Sequence, residues 1–164
     1  MQVRQFEDLV AWQKARALAA AIYAATRSGG FTRDAGLASQ VQRAAVSVMA
    51  NIAEGFERRR PLEFARFLDI AGASNAEVRS HLYVVALDVG YLEAGAHSEL
   101  SEQSREVGRV IAGLRRSVLR DQPGLGLREL PGAYDPDGLV AFEHTPSSRE
   151  LGTRNWELVP EGQA

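Results

Sequence analysis

Apolar residues at Leu9, Trp12, Ala15, Ala19, Ile22 and Tyr23 recur mostly at three- and four-residue steps, the spacing that lines one side of a helix. The alanine-rich setting favours the same state. The pattern predicts a first helix from Phe6 to about Arg27, ended by Ser28-Gly29-Gly30. A second stripe, Leu37, Val41, Ala44, Val48 and Ile52, predicts a helix opening near Thr32 to Asp34, where a side-chain oxygen can accept from the free first-turn amides. Gly55 and Arg58-Arg59-Arg60 close it, and Pro61 is suited to open the next helix because a first-turn residue needs no amide donor. The third pattern is the clearest: Phe64, Leu68, Ala71, Asn75, Val78, Leu82, Val85, Val89 and Leu92 alternate steps of four and three. That 3.5-residue seam predicts a helix of about 30 residues, or about 45 Å, ended by Gly95 and crossing its neighbours at a shallow angle. A fourth helix, from about Ser98 to Arg120, carries Leu100, Val107, Ile111, Leu114 and Val118. Its Gly108 and Gly113 weaken it by roughly 1 kcal/mol each relative to alanine unless another backbone approaches closely there.

Each stripe needs cover, and the connections are short. The expected fold is all-α, an antiparallel up-down-up-down four-helix bundle with an irregular C-terminal extension. The boundary falls after Gln122, giving a bundle over 1–122 and a tail over 123–164. Five of the six prolines lie in the tail, together with six glycines, which forbids a long helix there. The tail still carries Leu125, Leu127, Leu130, Tyr134, Leu139 to Phe142, Leu151, Trp156 and Leu158, many apolar residues for an acidic segment. It is expected to be partly ordered against the bundle or a neighbouring subunit, with Tyr134, Phe142 and Trp156 as anchors. Gly138 to Phe142 could form a short strand.

A polar line runs beside the second apolar stripe: Gln40, Arg43, Ser47, Asn51 and Glu54. The third helix echoes it with Glu63, Arg66, Ser74, Glu77 and His81. A tight turn from Glu57 to Pro61 would set the two lines alongside each other. They could form a solvated face, a hydrogen-bonded network that fixes helix register or a subunit contact, or a surface for a ligand or nucleic acid. Carboxylates on a packed surface need partners, so Asn51 and Glu54 are expected to meet Ser74 or Arg66. Asn75, polar within an apolar seam, is expected to fix helix alignment.

The run Phe6-Glu7-Asp8-Leu9 with Trp12, then Gly36-Leu37 with Gln40, Arg43 to Val48, Asn51-Ile52-Ala53-Glu54-Gly55, Glu63-Phe64, Phe67-Leu68, Ala71, Ser74 and Glu77 resembles a bacterial family. These are the four-helix bundle proteins encoded in 23S rRNA intervening sequences, to which the accessory variability proteins of diversity-generating retroelements are similar. The resemblance covers Gln5 to about Arg120. It implies a protomer assembled as a ring-like homopentamer, and binding to structured RNA or to a protein partner such as a reverse transcriptase. It brings no enzymatic activity.

Charge bears on that implication. Residues 1–122 hold sixteen basic and fourteen acidic side chains, whereas 123–164 hold three and seven. Phosphate-backbone binding favours concentrated positive charge, and the bundle is nearly neutral. The candidate nucleic-acid or partner contacts are therefore local: Arg43, Arg58, Arg59, Arg60 and Arg66. Gln40, Ser47, Asn51, Glu54, Ser74 and Glu77 are the candidates for a structural polar network or oligomer contact. Arg115, Arg116 and Arg120 suit the last turns of a helix, where cations complement the helix dipole.

Catalytic signatures are missing from the sequence. There is no cysteine, so thiolate nucleophiles and thiolate metal sites are out. The residues three before His81, His97 and His144 are Val78, Ala94 and Ala141, so no Glu-x-x-His motif is present. Gly124-Leu125-Gly126 leads to Pro131 rather than to a phosphate loop and reads as a flexible joint. No cofactor or metal is expected, and no enzyme. The expected function is a non-enzymatic homo-oligomeric assembly or adaptor protein. The alternative is a small-molecule or metal-binding bundle, for which only Glu77 and His81 speak. No window is long and apolar enough for a membrane span and the N-terminus does not resemble a signal peptide, so a cytoplasmic location is expected.

Overall fold

A computed structural model of the chain describes residues 3–27 and 29–120, with backbone alone at 86 and 87. The expectations about the tail, including its strand and its aromatic anchors, lie outside these residues. Four α-helices follow a 3-10 turn at Phe6–Asp8: α1 (Val10–Ala25), α2 (Ala35–Glu57), α3 (Pro61–Tyr83) and α4 (Ala94–Arg120). The described residues are all-α, as expected. None of their helices is long and apolar enough to cross a membrane.

Local chemistry accounts for the helix ends. Asp34 accepts from the Leu37 amide at 3.0 Å, capping α2. Pro61 is the first residue of α3. Arg59 sits between α2 and α3 at φ 55°, a left-handed conformation that lets the chain reverse within a few residues. The first helix starts later than its sequence pattern suggests, because residues 6–8 wind as a 3-10 turn in which Asp8 and Gln5 hydrogen bond to one another.

The third helix also differs from its pattern. At Val84–Asp88 it widens to a π-helix, with the Val89 amide donating to the Val84 carbonyl at 3.1 Å. Gly90, at φ 65°, then breaks the chain direction. One extra residue in a turn rotates everything beyond it by about 100°. The 3.5-residue seam is therefore buried only from Leu68 through Val85, and Val89 is left 41% exposed. Gly95 does not end α3. It lies in the first turn of α4, which begins at Ala94 rather than near Ser98.

The core is a single cluster drawn from all four helices, including Leu18 and Ile22, Val48 and Ile52, Leu68, Val78 and Leu82, and Val107 and Ile111. Tyr23, assigned by its spacing to the first apolar stripe, is 41% exposed. Polar links cross the helix pairs. Gln42 donates to the Thr26 hydroxyl at 2.7 Å between α2 and the end of α1. Lys14 and Glu106 pair at 2.6 Å between α1 and α4, and Asp69 and Arg115 at 2.5 Å between α3 and α4. The most buried link is reciprocal: Asn75 Nδ2 donates to the Ser104 carbonyl, and Ser104 Oγ donates to Asn75 Oδ1, both at 2.9 Å. Both residues are sealed from solvent, and both polar atoms of the Asn75 side chain have a partner across the α3–α4 seam.

Gly55 shows how closely α2 and α3 approach. A Cβ there would lie 2.5 Å from Phe67 Cβ and 3.0 Å from Phe64 Cδ2. At Gly72, on α3, nothing among the described residues lies within 4 Å of the corresponding point. The same substitution should therefore have opposite effects at the two sites. Gly72→Ala should stabilise by about 0.5–1 kcal/mol through helix propensity. Gly55→Ala should destabilise by about 1–2 kcal/mol, since overpacking outweighs that gain. Urea titration of both variants checks this, and equal shifts of either sign would contradict the packing described. Ser104→Ala, which orphans the buried Asn75 Oδ1, should cost about 1–3 kcal/mol in the same assay.

Candidate functional site

The helical spacing of the two polar lines puts each on one flank of its helix, and the fold sets the flanks side by side. The direct link is between Ser47 Oγ and Ser74 Oγ at 2.9 Å, across α2 and α3. Asn51 Nδ2 donates to the Ser47 carbonyl at 2.8 Å and to Ser47 Oγ at 3.1 Å. Ser47, Asn51 and Ser74 thus form one rung, in which Ser74 is buried and the other two are partly open to solvent. Asn51 does not reach α3 itself. Its amide bridges one turn of its own helix, and Ser47 carries the link onward.

Glu54 also departs from expectation. It receives Arg58 Nη2 at 2.6 Å, one turn on in the same helix, rather than a partner from α3. That hydrogen bond, reinforced by the opposite charges, raises the Arg58 pKa. The same guanidinium lies over the Phe67 ring at 5.4 Å from its centroid, so α2 ends on a cation held by a carboxylate and an aromatic face. Arg60 pairs with Glu63 at 3.3 Å. Of the arginine run at the turn, two members have intramolecular acids, and the third, Arg59, is exposed. These pairs are exposed and hence weak.

Further along the flank, Gln40, Arg43 and Arg66 are exposed. Among the described residues neither Arg43 nor Arg66 has an ion pair. Ile70, one turn from both Arg66 and Ser74, is 39% exposed, and Val46, beside Ser47, 38%. Glu77 and His81 approach to 3.5 Å along α3, the carboxylate exposed and the imidazole mostly covered. Among the described residues no group of three or more His, Asp or Glu side chains converges on a point. The resulting surface joins a half-open hydroxyl and amide rung to guanidinium groups that have no acidic partner among the described residues, and to exposed aliphatic side chains. It can offer hydrogen-bond donors and positive charge to phosphate, or apolar area to another protein surface.

Sequence reasoning placed Ser47 and Ser74 on facing lines. It missed Ser104 as the partner of Asn75, and Gly55 as a point of contact. The signal for Gly55 was its position opposite two phenylalanines across the turn, Phe64 and Phe67. Ser104 gave a signal only as part of the small-residue line Ser101, Ser104 and Gly108, which is buried.

Comparison with known proteins agrees with this architecture. No curated protein matches the chain. Among solved structures, the chain is similar to a protein from Bacteroides thetaiotaomicron described as having unknown function and as belonging to the S23 ribosomal protein family. The two are 19% identical, with a TM-score of 0.59 over 65% of this chain and 99% of that one. At that identity the likeness is one of fold. The family model described as 23S rRNA-intervening sequence protein matches residues 7–113, a span running from the 3-10 turn into α4 and including the Ser47–Asn51–Ser74 rung. With well over half its length matched, the chain belongs to the 23S rRNA-intervening sequence protein family.

Proposed function

We propose that this protein is a non-enzymatic homo-oligomeric scaffold, assembled as a ring of five copies, that presents the α2–α3 flank to structured RNA. The observation that carries the reading is the pairing state of that flank. Among the described residues, Arg43 and Arg66 are exposed with no acidic partner, on either side of a rung whose own hydrogen bonds are made internally. Guanidinium groups free of carboxylates are available for phosphate. Charge is otherwise nearly balanced in the bundle, so a single copy would bind weakly. Repetition around a ring multiplies a modest local patch through effective concentration. The exposed Val46 and Ile70 favour a second use of the same region, contact with a protein partner such as a nucleic-acid enzyme or with another copy of the chain. Apolar groups rimmed by polar ones mark such contacts.

Two measurements test this reading. Light scattering should give a mass of five 17.9 kDa chains, and a monomer would remove the ring. Affinity for structured RNA should fall with salt. Arg43→Ala and Arg66→Ala should each make the slope of log K against log salt shallower by about 1, because each variant neutralises one phosphate fewer. If the protein has no salt-sensitive RNA affinity at low ionic strength, RNA is not its ligand. Asn51→Leu removes both hydrogen bonds to Ser47 and should cost about 1 kcal/mol of stability or change the oligomer mass. Unchanged melting together with unchanged mass would count against a structural role for the rung.

A further inference from the structure

The junction between α3 and α4 holds two glycines five residues apart, Gly90 and Gly95. Gly90, in its left-handed conformation, breaks the chain between the π-turn and α4. Gly95 lies in the first turn of α4, where glycine weakens a helix relative to alanine. Among the described residues nothing lies within 4 Å of where a Cβ would stand at either position. Backbone freedom explains Gly90, whereas no described neighbour explains Gly95. Val89 is a second unmatched feature: Val85, one turn earlier on the same apolar seam, is sealed, and Val89 is exposed. One contact holds the junction in place. The Tyr91 ring sits against the Gly30 backbone, so that a Cβ on Gly30 would fall 2.0 Å from Tyr91 Cδ1. The ring also meets the buried Phe31 edge-on, 5.4 Å between centroids, and the Tyr91 amide donates to the Val85 carbonyl at 2.8 Å.

We propose that this junction slides between two registers, with Gly90 the breaker in one and Gly95 the breaker in the other. In the second register the π-turn closes to α, and α3 runs on through Gly90 to Leu92. The Val89 amide then moves from the Val84 carbonyl to the Val85 carbonyl, which the Tyr91 amide vacates. Val89 returns to the seam one turn beyond Val85. Gly95 reverses the chain, and the first turn of α4 is released, including the bond from the His97 amide to the Glu93 carbonyl. Hydrogen bonds gained at the end of α3 offset those lost at the start of α4. What separates the registers is therefore side-chain burial, Tyr91 on Gly30 against Val89 on the seam. The slide carries the Tyr91 ring off Gly30 and uncovers Phe31. It thus couples the α3–α4 connection to the α1–α2 connection, as a two-state element of the fold.

Amide hydrogen exchange in the full chain tests this. Gly90→Ala with Tyr91→Ala penalises the left-handed break and removes the ring from Gly30, shifting the balance by about tenfold or more. The amides of residues 90 and 92 should gain protection while those of 96 and 97 lose it. Faster exchange at all four, or no change at any, would overturn the proposal. A disulfide reads the same coupling in reverse and keeps the test decisive if the first variant fails to fold. The chain has no cysteine, and Tyr91 Cγ lies 2.6 Å from where a Cβ on Gly30 would stand. The two Cβ atoms are thus within reach of the roughly 3.5–4.5 Å that a disulfide spans. Oxidised Gly30→Cys with Tyr91→Cys holds the first register, so the amides of 96 and 97 should exchange about tenfold more slowly than in the reduced variant. Equal rates in the two forms would sink the idea, because the first turn of α4 would then open without Tyr91 leaving Gly30.

Discussion

The tight reversal between α2 and α3 governs the arrangement of everything that follows. Only three residues separate Glu57 from Pro61, and Arg59 takes a left-handed conformation to make the turn. Once the helices leave so short a connection, their axial offset is fixed, and the contact of Gly55 with Phe64 and Phe67 fixes their distance. A larger residue at 55 would push the helices apart near the turn. These two constraints bring Ser47 opposite Ser74, though 27 positions separate them in the chain. The polar rung is thus a product of backbone geometry near the turn. The flanking arginines take their places from the same register.

Energetically the bundle is layered. Its centre is apolar and small-residue-rich, with Ala15, Ala44, Ala45 and Ala71 buried among Leu, Ile and Val. Small residues allow close helix approach, while each contributes less transfer free energy than a leucine. The exposed ion pairs at the surface add little. Glu102 illustrates the kind: hydrogen bonds from Arg109 and Arg105 lower its pKa. The pairing is present above the ordinary carboxylate range and is lost as pH falls through that lowered value.

Most of the helical framework was legible because apolar periodicity reports directly on which face is covered. Val41, Val48, Ile52, Leu68, Val78 and Leu82 were all read from spacing, and all are buried. The misreadings share a cause, since each depends on geometry that spacing does not encode. A π-turn at Val84–Asp88 leaves the sequence repeat intact while rotating the chain beneath it, so Val89 keeps its place in the pattern and loses its place in the core. Glu54 found Arg58 because a long flexible cation one turn away costs less to order than a partner on another helix. Of the candidate site, residue identities were legible, but the direction of each hydrogen bond was not: Asn51 turned inward along its own helix.

The reciprocal bond between Asn75 and Ser104 has a consequence beyond its own strength. Helices lined with alanine, valine and leucine are nearly interchangeable as partners, and a collapsing chain could dock α3 on the wrong neighbour or one turn out of step with little loss of burial. In such a misdocked state Asn75 would be buried against hydrocarbon with neither donor nor acceptor satisfied. The correct pairing gains modestly, but the competing pairings lose heavily. The asparagine therefore acts as a proofreading element of assembly, widening the gap between the native packing and its near-misses.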